Sequence, residues 1–210
     1  MRLRPLIALD ADGVLLDFHR GYAHAWARAF GEAPHEHDPL AYWPHHRYRT
    51  GRLEPERLAH FLRHFDERFW STVPAMPGAV AACERLAAAG YELVCVSALE
   101  KRFERARLRN LRELGFPIER VIATGNAPGE RSPKADAIAE LRPVAFADDF
   151  LPFLRALPAE VHTALIRGGP NRTPNTGPDL ALARSIHDDL AGFVDHWLSA
   201  PPAPPRAGAA

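Results

Sequence analysis

Lysine is nearly missing from this chain. Of its 26 basic side chains only Lys101 and Lys134 are lysine, and the rest are arginine. Cysteine is scarce as well, with Cys83 and Cys95 alone in 210 residues. Two thiols are too few for a disulfide scaffold or a cysteine-rich zinc site. Set in a helix-like and a strand-like apolar context, they read as buried, reduced core residues. An excess of either charge is also absent: 26 basic and 26 acidic residues leave a formal net charge of zero. That removes the electrostatic footprint of a protein that binds a nucleic-acid polymer. No apolar run reaches transmembrane length, and the N-terminus lacks a signal-peptide pattern. The expectation is a soluble, cytoplasmic protein without membrane association. His35, His37, His45 and His46 fall close together, but they lack HxxxH spacing and companion cysteines, so no histidine zinc site is expected. No internal repeat is found.

What the chain does have is apolar residues, 47% of the total, enough for a substantial core in one domain or in a core with an insert. The stretch LIALDADGVLLDF (6–18) organises the rest. Leu6 to Leu9 form an apolar run without polar alternation, as in a strand buried on both faces of a parallel sheet. Asp10 and Asp12 follow at once, with Gly13 allowing a tight turn. Two carboxylates at the C-terminal end of such a strand stand at the usual ligand crevice of an open α/β sheet. Unpaired, they repel, and a hard cation such as Mg²⁺ resolves the conflict through oxygen ligands. An exposed acidic turn would read the same if nothing else joined it.

Downstream partners do join it. Phe18, Tyr22, Trp26 and Phe30 mark one face of a helix over 18–30, and Glu54 to Trp70 reads as a second amphipathic helix. Between them, Tyr42, Trp43 and Arg47 in YWPHHRYR combine aromatic faces with a cation. That combination suits stacking plus anion contact, and it suits a packed loop equally well. A helix over 78–89 leads to a strand over 91–96 that ends on Ser97. The Ser97 hydroxyl can hydrogen-bond a phosphate oxygen or cap the next helix. The Arg-rich helix over 101–114 reads as a solvated face. A weaker strand covers 118–123. Ser132 and Pro133 mark a helix start over 131–141, where Lys134 opposes the helix dipole. A rare lysine in an unfavourable place reads either as a surface residue or as a point charge that holds a carboxylate and a phosphate together. A fourth strand over 143–147 ends on Asp148 and Asp149, and a fifth covers 161–166. Residues 167–178 read as a loop, and 190–198 as a closing helix. In a doubly wound sheet all these strand ends share one edge. The fold class expected is therefore α/β, a Rossmann-like parallel sheet of about five strands.

In its order of motifs the chain resembles the haloacid dehalogenase superfamily of phosphohydrolases. IALDADGV is similar to the first motif, LVCVSA to the second, SPKADAI to the third and VAFADDF to the fourth. Within the superfamily, DADGVLLDF and PAMPGAVAACERLAAAGYEL look most like the 5′(3′)-deoxyribonucleotidase type. The resemblance implies Asp10 as a nucleophile that forms an aspartyl-phosphate and Asp12 as general acid and then general base. It implies Mg²⁺ between Asp10, the backbone carbonyl of Asp12 and Asp148, with Asp149 in support. Ser97, Ala98 and Lys134 would bind phosphate, although Ala98 offers no side-chain donor. The long gap of about 85 residues between Asp12 and Ser97, against about 37 from Ser97 to Lys134, places a cap insert after the first motif. The division expected is a catalytic core of 1–17 and 75–200, a helical cap of 18–74 that closes over the site, and a disordered Pro/Ala tail of 201–210. The activity implied is Mg²⁺-dependent hydrolysis of a small phosphorylated metabolite. A nucleotide is the favoured instance, with Tyr42, Trp43 and Arg47 as candidate specificity residues. A phosphotransferase or phosphomutase using the same intermediate, and a non-catalytic binding protein on this fold, are the alternatives.

Overall fold

The computed structural model of the protein describes residues 4–127 and 129–199; the tail expected to be disordered, 201–210, lies outside the described residues. Six parallel strands form one sheet: β1 Leu6–Leu9, β2 Glu92–Ser97, β3 Val121–Ala123, β4 Ala145–Asp148, β5 His162–Ile166 and β6 Ser185–His187. Their order is β3-β2-β1-β4-β5-β6. Helices α1 (Phe18–Phe30), α2 (Pro44–Arg47), α3 (Pro55–Leu62) and α4 (Glu67–Trp70) lie between β1 and β2 in the chain. Then come α5 (Ala79–Ala88), α6 (Glu104–Glu113), α7 (Ala135–Leu141) and α8 (Leu190–Ser199). None of the helices among the described residues is long and apolar enough to cross a membrane.

The continuous apolar character of the strands follows from burial on both faces. Ile7 and Leu9 of β1, Leu93 and Cys95 of β2, and Ala145 and Ala147 of β4 enter one apolar cluster, together with Cys83 and Leu86 of α5 and Phe193 and Trp197 of α8. Their neighbours Ala8, Val94, Val96 and Phe146 enter a second cluster with Ile138 of α7, Leu151 and Leu154. Cys83 and Cys95 are buried free thiols. The strand β1 sits at the centre, with Leu9 in register with Cys95 on one side and Ala147 on the other. The chain moves outward from β1 through β2 and β3, then returns to β4 and builds the other half. The reversal opens a crevice beyond the C-terminal ends of β1 and β4, where ligands bind in sheets of this order.

Four expectations change. The sheet has six strands where about five are expected, because the three-residue β6 at the edge is too short to show a period. The helix expected over 54–70 is two helices, α3 and α4. The apolar steps of four, Phe61, Phe65 and Phe69, run through the break, so periodicity alone hides it. Asp66 makes the break: its carboxylate accepts the backbone N–H of Phe69 at 2.9 Å and pairs with Arg28 of α1 at 2.6 and 3.1 Å. The helix that carries Lys134 starts at Ala135, with Lys134 itself in the N-cap position. The Ser132 hydroxyl accepts the Lys134 N–H at 3.2 Å, closing a turn ahead of the helix. Pro44 to Arg47, read as loop, makes one helical turn with Pro44 in its first position. The aromatic stripe of α1 is packing: Tyr22 and Trp26 meet Phe61 edge-on at 5.0 and 5.2 Å.

Where β5, β6 and α8 meet, three imidazoles crowd together, His187 to His196 at 5.2 Å and His162 to His196 at 6.4 Å between centroids. Burial first, and then the neighbouring positive charges, lower the pKa of His162 and of His187 below the ordinary 6.5. The unfolded chain therefore takes up protons before the folded one does. The stabilisation is fully present above about 6.5 and is lost as pH falls through the lowered folded values. Between pH 7 and pH 5 the melting temperature of His162→Gln should fall less, or rise more, than that of wild type, because the variant lacks one of these groups. An identical change between pH 7 and pH 5 in the two proteins would refute the assignment.

Candidate active site

Three strand ends bring the sequence-predicted residues together. Asp10 follows β1, and its backbone N–H donates to the Ala147 carbonyl of β4 at 2.9 Å. Ser97 closes β2 and Asp148 closes β4. From beneath, the fully buried Lys134 places its Nζ 2.5 Å from Asp10 Oδ1 and 2.7 Å from Asp148 Oδ2. The lysine that reads as misplaced against a helix dipole is held there by two carboxylates. Burial opposes its charge, but Asp10 and Asp148 outweigh burial and hold the ammonium above the usual lysine value. Burial likewise pushes the Asp148 carboxyl up to about 7, against the attraction of Lys134. It raises Asp149 as well, with Asp10 and Asp148 adding repulsion.

Oxygens of Asp10, Asp148 and Asp149 lie within 4.8 Å of one another. Three hard oxygen donors against one ammonium leave negative charge unbalanced, and the donor set fits a hard divalent cation. Both oxygens of Asp148 are engaged, Oδ2 by Lys134 and Oδ1 by the backbone N–H of Phe150 at 2.9 Å. Asp149 instead faces the cleft and lies against Gly13. A Cβ at position 13 would collide with its carboxylate, and the backbone there has φ +88°. Gly13 thus serves both the turn and the close approach.

The cleft above these groups has a volume of about 580 Å³. Asp10, Asp12, Ser97 and Ala98 line its floor, and Phe18, Tyr42, Trp43, Trp70, Phe150 and Phe153 its walls. Tyr42 is fixed by its hydroxyl, which donates to the Asp149 carbonyl at 3.3 Å. The close approach of residues 40–42 to the 167–178 loop needs Gly168 and Gly169, since a Cβ on either would strike the Tyr42 ring or the Leu40 carbonyl. Ser97 does not cap a helix; the next helical turn begins only at Lys101.

Two expectations are corrected. Arg47 does not line the cleft with Tyr42 and Trp43. It pairs with Glu36 at 2.5 Å and leans on His19 Nδ1 at 3.4 Å, and His19 is the residue that reaches the cleft. The Arg-rich helix is not wholly a solvated face. Arg107 of α6 is fully buried, and its Nη2 donates to both Asp12 oxygens at 2.8 and 3.0 Å. A signal for it exists in the chain: Arg107 interrupts the stripe Phe103, Leu111, Leu114, where helical spacing calls for an apolar residue. Asn175, which no sequence motif marks, joins the site; its amide donates to the Asp149 carbonyl at 2.7 Å and its oxygen accepts from the Leu151 N–H at 2.8 Å. Burial raises the Asp12 pKa above 3.8, Arg107 pulls it down, and Asp10 raises it further.

Residues 5–150 match the model of the haloacid dehalogenase-like hydrolase family. Comparison with curated protein sequences finds no match. Among solved structures, an L-2-haloacid dehalogenase aligns with a TM-score of 0.56 at 18% identity, covering 92% of this chain and 99% of that one. A predicted phosphoglycolate phosphatase from Haemophilus somnus 129pt aligns with a TM-score of 0.60 at 16% identity, over 93% and 99% of the two chains. A family hydrolase from Deinococcus radiodurans R1, with bound phosphate and sodium, aligns with a TM-score of 0.58 at 19% identity, over 94% and 95%. At these identities the likeness is one of fold.

Removing the ammonium would leave Asp10 and Asp148 as uncompensated buried acids. Lys134→Met should therefore cost about 3–5 kcal/mol of stability, read as a lowered urea midpoint at neutral pH. An unchanged midpoint would mean that the buried triad does not exist in solution.

Proposed function

Starting from the fact that the chain belongs to the haloacid dehalogenase-like hydrolase family, we propose that it is a Mg²⁺-dependent phosphomonoesterase acting on a small phosphorylated metabolite. The observation that carries this reading is the set of groups around one point: two carboxylates two residues apart, each with its own cation, beside Ser97 and a three-carboxylate cluster. Haloacid dehalogenation needs no proton donor two residues beyond the nucleophile, because halide leaves without one. Asp12, held by Arg107, supports an ester substrate whose leaving oxygen must be protonated.

In the reaction proposed, an Asp10 oxygen attacks phosphorus, the ester P–O bond breaks, and the leaving oxygen takes the proton of Asp12. Water then attacks phosphorus of the aspartyl-phosphate and gives a proton to Asp12. The bond to Asp10 breaks, and inorganic phosphate leaves. Ser97, the Ala98 backbone and Lys134 serve the transferring group, Lys134 by neutralising Asp10 and Asp148 from beneath. Mg²⁺ at Asp10, Asp148 and Asp149, with the Asp12 carbonyl as a further donor, would supply charge compensation for the phosphoryl oxygens. Residues 18–74 act as the cap, since α1, α4 and the 42–44 segment supply Phe18, Trp70, Tyr42 and Trp43 to the cleft. Aromatic walls favour a leaving group with a flat face, which supports a nucleotide over a polyhydroxylated sugar phosphate.

Wild type should hydrolyse p-nitrophenyl phosphate with Mg²⁺ and not with EDTA, and Asp10→Asn should lose about a thousandfold or more in kcat. An Asp10→Asn variant as active as wild type would overturn the mechanism. In parallel, millimolar Mg²⁺ should raise the melting temperature, because a ligand of the native state stabilises by mass action. Full turnover in EDTA with no thermal shift would remove the metal from the proposal.

A further inference from the structure

We propose that Arg107 is a positioning residue for Asp12, clamping its carboxylate in the orientation from which it serves the leaving oxygen and then water. The inference rests on the phosphomonoesterase reading above. Arg107 is fully buried, while Asp12 is partly open to the cleft. One nitrogen, Nη2, holds both carboxylate oxygens. No other side chain among the described residues hydrogen-bonds the Asp12 carboxylate.

Stability does not account for this arrangement. Burying a guanidinium is costly, and a buried ion pair is often replaceable by apolar side chains without loss. Here the cost is raised, because Nε and Nη1 of Arg107 are buried without a hydrogen-bond partner among the described residues. The position falls in an apolar stripe, where leucine would pack without that cost. What the arginine has that leucine lacks is a fixed hold on Asp12.

The clamp is itself held still. The indole of Trp70 lies 5.0 Å from the Arg107 guanidinium carbon, and its Nε1–H donates to the Phe65 carbonyl at 3.1 Å. One turn further along α6, Asn110 donates to the Val73 carbonyl at 3.1 Å. Thus α4 and the strand-ward chain after it fix α6, α6 fixes Arg107, and Arg107 fixes Asp12. Trp70 also walls the cleft, so the substrate surface and the proton-transfer group share one support. A short carboxylate on a loop that must donate and later accept along one line benefits from such fixation.

Two aryl esters of similar shape separate this role from a structural one. The nitrophenolate of p-nitrophenyl phosphate leaves with little need of a proton; the phenolate of phenyl phosphate needs it more. In Arg107→Met, kcat/KM for phenyl phosphate should fall about tenfold or more, while that for p-nitrophenyl phosphate changes less than about threefold. Since water attack also uses Asp12, the variant should release a burst of nitrophenol on p-nitrophenyl phosphate before a slower steady state. Arg107→Lys, which keeps the charge, should fall between wild type and Arg107→Met, and it carries the test if the methionine variant does not fold. Adding Arg107→Met to Asp12→Asn should cost nothing further. Equal losses for the two esters without a burst, or additive losses in the double variant, would overturn the positioning role and leave the phosphatase reading standing. A wild type that turns over neither ester would overturn the phosphatase reading, and the positioning role with it.

Discussion

Everything at the sheet edge depends on keeping like charges together at one place. Asp10, Asp148 and Asp149 converge because β1 and β4 are neighbours, and both strands end in carboxylates. The hydrophobic effect that buries both faces of the sheet sets this convergence, since Leu9 and Ala147 must pair for the core to close. Repulsion is the consequence, and it fixes what else must be present. One cation, Lys134, comes from beneath the sheet edge through a turn closed by Ser132. Its placement at a helix N-terminus is locally unfavourable, and the attraction of two buried acids outweighs that. The remaining negative charge fits a hard divalent cation, which on the proposed reading would share the cleft with a phosphoryl group.

The walls answer to the same edge. The backbone of Asp149 is pinned through its carbonyl by Tyr42 and Asn175, which come from segments far apart in the chain. Gly168 and Gly169 let the 40–42 segment close onto the loop after β5. Phe150 then meets Trp43 edge-on at 6.0 Å and Phe153 at 4.8 Å. The acidic turn and the aromatic wall are therefore one construction, and the second carboxylate of the pair at 148–149 is oriented by its own backbone contacts. Asp149 therefore faces the cleft, while the Asp148 oxygens also meet Lys134 and the Phe150 N–H.

Much of this was legible before any coordinates. Apolar runs that end in carboxylates or a hydroxyl identify the strands and their functional ends, because a buried parallel strand has no other pattern. The isolated Lys134 stood out by composition and by its clash with a helix dipole. What stayed hidden depended on long-range pairing. Asp66 breaks a helix that its neighbours Phe61, Phe65 and Phe69 would continue, because Arg28 waits across the packing interface. The strand β6 is three residues long and exists because β5 offers it an edge. Arg47 looked like a substrate contact, yet Glu36, eleven residues away, claims it. Arg107 looked solvated because Arg is frequent on that helix; only its stripe position distinguished it.

On the phosphomonoesterase reading, the division of labour between Asp10 and Asp12 follows from these placements. Two carboxylates two residues apart would be interchangeable in water. Here the environments separate them. Asp10 lies against a buried ammonium and beside two further acids. Asp12 is paired with a guanidinium on α6, where burial favours its protonated form, Arg107 opposes that, and Asp10 adds to it. On the proposed reading this group gives a proton and later recovers one, which a carboxylate inside the cluster could not do without competing for the same cation. On the proposed reading, the two-residue spacing works because β1 ends between Lys134 and Arg107, and each cation selects one acid.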